Sequence, residues 1–139
     1  MLTDSLKYAV LLGCLSLAGI GQAHHSAALL YDLGRQVEVR GVVTRFEFGN
    51  PHLRIYFDVD DNGRAVNWMA EGGSRTVLIR KGWDGNEIKF GDVITIHGNP
   101  SRDGTNIIHV LSLTLPDGRT LYTEDLDPNQ LEQRRRQRK

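Results

Sequence analysis

The dipeptide Asn62-Gly63, which separates two runs of alternating apolar and polar residues, is the feature that most constrains this fold. A two-residue type I′ turn needs positive φ at both central positions, and Asn followed by Gly satisfies this requirement best. The pattern predicts a hairpin over His52–Gly73, with Asp61 opposite Arg64. A shift of one residue would exchange the two faces of the hairpin, so the alternation also specifies the register.

The predicted register gives the hairpin a core face and a solvent face. The core-face pairs are Val59 with Val66, Phe57 with Trp68 and Ile55 with Ala70. The solvent-face pairs are Asp58 with Asn67, Tyr56 with Met69 and Arg54 with Glu71. At the open end of the hairpin, His52 and Glu71 are expected to be diagonal neighbours.

A long first strand is predicted before the hairpin, over Val37–Phe48. Its apolar residues change parity along the strand, and we expect the buried face to change near Gly41, because a glycine inside a strand often marks a bend or bulge. After the hairpin, Ser74 is a typical N-cap, which predicts a short helix through Arg80 that ends at Gly82.

Two further strands are predicted over Val93–Gly98 and Ile107–Leu115, joined by a turn at Asp103-Gly104. This turn places Ile96 opposite Leu111 and Ile94 opposite Leu113 on the core face, with Thr95, His97, Val110 and Ser112 on the outer face. It also places His109 on the core side near a strand end. His97 and His109 are both interpreted as structural. Thr120–Tyr122 is expected to pair briefly after a turn at Pro116–Arg119.

This order of elements predicts an all-β fold with one short helix. Three strands, a helix and two strands, with a bent first strand, are typical of a five-stranded OB-like Greek-key barrel whose helix lies between strands 3 and 4. A small β-sandwich is the alternative, and the position of the helix argues against it.

The N-terminus has the pattern of a targeting segment. Lys7 precedes an apolar run over residues 8–20, too short to span a bilayer comfortably, and Gly21-Gln22-Ala23 offers small residues for signal peptidase. The expected organisation is a signal peptide over 1–23, an N-terminal arm over 24–36, the barrel over 37–122 and a polar, basic, disordered tail over 123–139. The alternative is a lipobox that leaves Cys14 lipidated, and both interpretations export the protein, with the periplasm favoured.

Composition narrows the candidate partners and sites. The 17 basic and 17 acidic residues balance, so overall charge indicates neither nucleic acid nor a membrane as partner. Cys14 is the only cysteine, and cleavage after Ala23 removes it, which excludes disulfides and thiolate metal sites from the mature chain. The basic stretch Arg134–Lys139 is expected to be solvated, with contact to an anionic surface as the alternative.

Several of these segments together resemble a family of small exported bacterial proteins of unknown function. The matching motifs are Ala-His-His-Ser at 23–26, Gly-x-Val at 41–43, Asn-Pro-His at 50–52, Trp-x-x-Glu at 68–71, Gly-Trp at 82–83, Gly-Asp at 91–92 and Leu-Pro-Asp-Gly-Arg at 115–119. The resemblance covers about residues 23–121 and leaves the basic tail outside. It implies export and a small OB-like barrel, and it supplies no activity.

Histidine placement suggests a metal site. After cleavage His24 would offer both its α-amine and its ring to one ion, and an imidazole from His25 or His52 would give a nitrogen set suited to Cu(II). Glu71 would add an oxygen ligand or orient a ligand ring. The alternative is structural: exposed His24 and His25, His52 capping the Asn50-Pro51 turn, and an ordinary Arg54–Glu71 ion pair.

A second hypothesis concerns the outer face of strands 2 and 3, the usual ligand face of an OB barrel. Here it has Arg54, Tyr56, Asn67 and Met69. One aromatic without a basic stripe argues against single-stranded nucleic acid, which leaves a small anionic ligand or an envelope protein as partner. No nucleophile, base and orienting residue form a pattern, so an enzyme is the least favoured class.

Overall fold

The computed structural model describes residues 23–123. The signal-peptide prediction, the Cys14 lipobox and the basic tail therefore lie outside the described residues, apart from Ala23 and Thr123. The elements are α1 (Ala23–Leu30), β1 (Val37–Glu47), β2 (Arg54–Asp61), β3 (Arg64–Glu71), α2 (Arg75–Arg80), β4 (Val93–Pro100), β5 (Ile107–Thr114) and β6 (Thr120–Tyr122).

The chain divides into one unit up to Leu30 and a second unit from Tyr31 onward. In the first unit α1 occupies part of the segment predicted as an arm, and Leu29 and Leu30 are exposed, whereas Tyr31 at the start of the second unit is buried. No helix between residues 23 and 123 is long and apolar enough to cross a membrane.

The second unit is a closed five-stranded barrel, as predicted, with α2 between β3 and β4. Antiparallel pairs join β2 to β3, β1 to β2, β1 to β4 and β4 to β5, and a parallel pairing of β3 with β5 closes the barrel. The short β6 adds to the edge of β5. The OB-like prediction is confirmed because the apolar face of each strand meets the others in one closed core.

The hairpin has the predicted register at every pair, from Asp61 with Arg64 to Arg54 with Glu71. Asn62 and Gly63 both have positive φ, at 55° and 85°, which is the type I′ requirement. The Asp60 Oδ1 atom accepts a hydrogen bond of 2.6 Å from the Gly63 amide. Local turn chemistry and side-chain alternation therefore agree, and they determine this part of the fold together.

The change of buried face in β1 occurs later than predicted. Pairing with β2 shifts by one residue between Val43 and Arg45, so Thr44 is the extra residue of a bulge. Val42, expected on the same face as Phe46 and Phe48, lies before this bulge and is exposed. Gly41 has a different role, because it allows close contact with β2.

The register of β4 against β5 also differs from the prediction. Ile96 pairs with Leu113 rather than Leu111, and Thr95 pairs with Thr114. The loop between the strands is longer than two residues, because the Asp103 carboxylate accepts bonds from Ser101 and Thr105. A bulge between His97 and Gly98 shifts the register by one further residue. These two offsets bury Val110, which was predicted on the outer face.

The helix and the C-terminal strand close one end of the core. Ser74 caps α2 by accepting a bond from the Val77 amide, as predicted, and Leu78 of this helix is buried. Trp83 is buried and donates its indole hydrogen to the Tyr122 carbonyl at 3.3 Å. Thr123, assigned from sequence to the tail, is buried and its hydroxyl donates to the Val110 carbonyl. Thr123 therefore packs against the barrel.

Gly41 offers a direct test of how tightly β1 packs against β2. A Cβ at this position would lie 2.5 Å from the Asp58 backbone oxygen and 2.7 Å from Phe57 Cδ2. We expect Gly41→Ala to lower the free energy of unfolding by about 2–3 kcal/mol, the upper part of the range for an overpacked core, because backbone moves less than side chains.

Urea unfolding of Gly41→Ala measures this loss against a matched control. Gly49→Ala is the control, because a Cβ there would have no neighbouring atom within 4 Å. Equal unfolding midpoints for the two variants would contradict the packing described for β1.

Candidate functional site

His52 and Glu71 meet at the open end of the hairpin, and backbone hydrogen bonds hold them there. The Leu53 amide donates to the Gly73 carbonyl, and the Gly72 amide donates to the Leu53 carbonyl, each at 3.0 Å. These bonds extend the pairing of β2 and β3 beyond the strand ends. They leave His52 Nε2 3.6 Å from Glu71 Oε1, with the imidazole half exposed and the carboxylate largely buried. We call this pair the corner.

The orientation of the His52 ring determines what its Nε2 atom presents to Glu71. The ring Nδ1 lies 3.3 Å from the Gly72 carbonyl oxygen, which only accepts hydrogen bonds, so this contact places a proton on Nδ1. In the neutral ring Nε2 then presents a lone pair toward the carboxylate. The Nε2 lone pair and the carboxylate oxygen are both potential ligands of a metal ion.

Arg54 lies on the other side of Glu71. Its Nε atom is 3.7 Å from Glu71 Oε2, so the two carboxylate oxygens face different partners. The predicted cross-strand pair is therefore present, together with the diagonal contact to His52. One carboxylate oxygen therefore faces the guanidinium of Arg54, while the other faces the imidazole of His52.

Tyr31 and His109 belong to the same region, although neither was predicted there. Glu71 pairs in register with His109 across the parallel contact of β3 and β5, and Ile108 and Val110 on either side of His109 are buried in the core. His109 therefore lies on the outer face with Glu71, not on the core side as predicted. The ring of Tyr31 packs against it, with centroids 5.2 Å apart.

Burial and charge act together on the Tyr31 hydroxyl. Burial, reinforced by the negative charge of Glu71 and opposed by the positive charge of Arg54, raises the pKa of Tyr31 to about 12. The hydroxyl therefore stays neutral well into the alkaline range. The sequence contains no pattern that predicts the proximity of Tyr31 to Glu71, because the two residues lie 40 positions apart.

The second candidate surface is the outer face of β2 and β3. The Arg45 guanidinium carbon lies 3.9 Å from the centroid of the Tyr56 ring, which is a cation–π distance. Asn67 donates to Asp58 Oδ1 at 3.1 Å, and Met69 is half buried beside Tyr56. Arg45 was missing from the predicted set because the bulge in β1 brings it opposite Tyr56.

The remaining predicted ligands are not described. The side chains of His24 and His25 lie outside the part of the chain whose side chains are described, so only His52 and Glu71 of that set are placed. Among the side chains that the structure describes, those of residues 27–123, no three of His, Cys, Asp or Glu form a group that could hold a metal ion. The structure thus brings together two of the four predicted ligands.

Comparison with known families agrees with the resemblance in the sequence. A model described as "family of unknown function (DUF6152)" matches residues 12–108, and the chain belongs to this family. No curated protein matches the chain. The family assignment therefore places the barrel among related proteins and leaves the activity to be inferred from the site.

Tyr31 provides a spectroscopic test of the charges at the corner. We expect one tyrosine hydroxyl to titrate at about pH 12, and this step to be absent in Tyr31→Phe. In Glu71→Gln the step should move down toward 10, because the neighbouring negative charge is lost. Absorbance of tyrosinate against pH measures both effects, and Glu47→Gln is the control.

The sign of the linked stability change follows from the same shift. The folded pKa of Tyr31 lies above its ordinary value of 10.0, so its neutral hydroxyl stabilises the fold fully below about pH 10. This contribution is lost as the pH rises through about 12. If the tyrosinate titration curves of Tyr31→Phe and the unaltered protein differed only below pH 10, the described burial of Tyr31 would be contradicted.

Proposed function

We propose that this protein is an exported β-barrel that binds a transition metal, with copper favoured, at the corner of His52 and Glu71. His24 and His25 would complete the donor set. The single observation behind the proposal is the orientation of His52, whose Nδ1 faces a carbonyl while its Nε2 faces a carboxylate oxygen at 3.6 Å. Metal-binding imidazoles commonly have this arrangement, in which the second nitrogen donates to a fixed acceptor.

The separation of the two donor atoms suits a single ion. For an ion about 2.0–2.2 Å from both His52 Nε2 and Glu71 Oε1, the 3.6 Å separation corresponds to a nitrogen–metal–oxygen angle of roughly 120°. This angle lies between tetrahedral and more open geometries. Arg54 pairs with the second carboxylate oxygen and leaves Oε1 directed at the imidazole. The described residues thus supply one nitrogen and one oxygen, and further ligands must come from elsewhere in the chain.

His24 and His25 are the histidines nearest to His52 in the sequence. Tyr31 lies six positions after His25, and this length of fully extended chain would span at most about 20 Å, which requires α1 to unwind. Tyr31 in turn lies close enough to Glu71 to respond to its charge. In this proposal cleavage after Ala23 exposes the amine of His24, which would add a second nitrogen donor from the same residue.

Export is part of the same proposal. Lys7, the apolar run over residues 8–20 and the small residues through Ala23 support secretion, with the periplasm favoured. Mass spectrometry of the protein recovered from the envelope would identify its first residue. Cleavage after Ala23 supports the amine–imidazole chelate, whereas lipidation at Cys14 would remove it.

Copper binding by the mature protein tests the metal proposal. We expect one Cu(II) per chain in a competition titration with a chromophoric chelator. His24→Ala, His52→Ala and Glu71→Gln should each weaken the affinity by at least about tenfold, since even outer-shell partners of metal sites contribute this much.

His97→Ala is the matched control, because it removes a histidine that pairs with Ser112 away from the corner. Its affinity should equal that of the unaltered protein. Equal affinity for all four variants would refute the proposed ligand set, and no copper binding at all would refute the metal proposal itself.

A second candidate function uses the outer face without a metal. The observation that favours it is the Arg45 guanidinium over the Tyr56 ring, on the outer face that Tyr56 shares with Arg54. Such a surface suits an anionic small ligand or an acidic segment of an envelope protein. Arg54, Tyr56, Asn67 and Met69 would then form the contact surface.

Affinity capture from an envelope extract tests this second function. We expect a partner or small ligand that copurifies with the unaltered barrel and is lost with Tyr56→Ala, because truncation removes the ring on which Arg45 packs. Tyr122→Ala is the control, since it removes a half-exposed tyrosine from β6. Identical recovery with both variants would exclude the outer face as the binding surface.

A further inference from the structure

The turn of the hairpin contains the single Asn-Gly pair of the sequence, Asn62-Gly63, and both residues are exposed to water. Asparagine is one of the thermolabile residues, because its side-chain amide can be lost as ammonia. A following glycine makes this loss easiest, since no side chain shields the glycine amide nitrogen from the asparagine Cγ atom. The pair that specifies the hairpin is therefore also a chemically labile point in it.

Ammonia loss from Asn62 proceeds in two steps, with water as the only co-reactant. First, the Gly63 nitrogen loses its proton to water and bonds to Asn62 Cγ. The Cγ–Nδ2 bond breaks, and the departing nitrogen takes up a proton from water and leaves as ammonia. Water then opens the resulting five-membered cyclic imide at either of its carbonyl carbons, which leaves aspartate or isoaspartate at position 62. The reaction needs neither an oxidant nor a reductant.

Two acidic side chains of the folded turn oppose the first step. Asp60 Oδ1 accepts a hydrogen bond of 2.6 Å from the Gly63 amide, which is the group that must lose its proton. Asp61 Oδ1 accepts a bond of 3.0 Å from Asn62 Nδ2, which is the leaving group. A carboxylate beside the amide favours its protonated form, because a second negative charge so close is unfavourable. The folded turn therefore protects the nitrogen on which the reaction depends.

The paired strands behind the turn hold these contacts in place. β2 and β3 stay in register from Asp61 with Arg64 to Arg54 with Glu71, and Arg64 Nη2 lies 3.6 Å from Asp61 Oδ2. Exposed turns open locally at a much smaller cost in free energy than the buried core does. The rate of ammonia loss should therefore follow how often the hairpin opens at its turn.

We propose that Asn62 is a deamidation site whose rate is controlled by Asp60: slow in the closed hairpin, where the Gly63 amide is bound, and fast once the hairpin opens. This inference is independent of the proposed copper site and of the outer face as a binding surface. It uses only the residues of the turn and water.

The isoaspartate product would alter the hairpin itself. Its main chain runs through the former side-chain carbon Cγ, which adds one atom to the backbone of a two-residue loop. The type I′ geometry and the register behind it depend on the length of that loop. Modification at Asn62 should therefore weaken the pairing of β2 with β3 irreversibly.

Incubation of the purified protein in mildly alkaline buffer, followed by proteolysis and mass spectrometry, measures this reaction. The digest locates the exchange of ammonia for water and separates aspartate from isoaspartate. We expect conversion at Asn62 to be about tenfold slower in the folded protein than in urea, because a neighbouring charge commonly changes the acidity of a group by this factor or more. Asn106, which is exposed but precedes the branched Ile107, is the internal reference and should convert slowly in both states.

Asp60→Ala tests the role assigned to the carboxylate. The folded variant should convert at Asn62 about tenfold faster than the unaltered protein, because its Gly63 amide no longer faces a negative charge. Asp58→Ala is the matched control, since it removes another carboxylate of β2, whose Oδ1 accepts a bond from Asn67 rather than from the turn. It should leave the rate at Asn62 unchanged.

Each part of the proposal has a result that would overturn it. Equal conversion in the folded and unfolded protein would show that the hairpin gives no protection, and equal rates in the two alanine variants would remove the role of Asp60. No conversion at Asn62 in urea would exclude the site altogether. The isolated isoaspartate form should unfold at a lower urea concentration than the unmodified protein, and an equal midpoint would contradict the expected effect on the hairpin.

Discussion

The parallel contact between β3 and β5 is the pairing on which the rest of the barrel depends. Met69–Glu71 and Ile107–His109 join strands that are far apart in sequence, and without this contact the sheet would remain open. Closure buries Ala70 and Ile108 in one core and places Glu71 beside His109 outside it. The same three-residue pairing therefore completes the hydrophobic core and assembles the polar residues of the corner.

Glu71 then occupies a position with a different partner on each side. Arg54 faces it across the hairpin, His52 approaches diagonally, and Tyr31 covers the neighbouring His109. A largely buried carboxylate needs compensating charge or hydrogen bonds, because burial without them is costly. Arg54 supplies a positive charge beside one carboxylate oxygen, and the half-exposed imidazole of His52 faces the other. This asymmetry distinguishes the corner from an ordinary cross-strand ion pair.

One close backbone contact and two bulges determine which side chains of the barrel face its core and which face its surface. Gly41 allows β1 to approach β2, and the shift between Val43 and Arg45 turns Arg45 over Tyr56. On the opposite strands, the shift beyond His97 sets which residues of β5 face outward. Both bulges thus alter the candidate ligand surfaces as well as the core, which links the irregular backbone to the proposed binding roles.

Local patterns determined the hairpin, the cap of α2 and the order of elements, because Asn62-Gly63, Ser74 and the alternation of side chains act over a few residues. They also placed His52 near Glu71, since a two-residue turn sets every pair behind it. Only the tertiary structure decided the bulges, the facing of Val110 and His109, and the contact of Tyr31 with the corner. These depend on barrel closure and on a buried amide, Asn99, whose partners lie more than 60 residues earlier, and such long-range packing has no local signature.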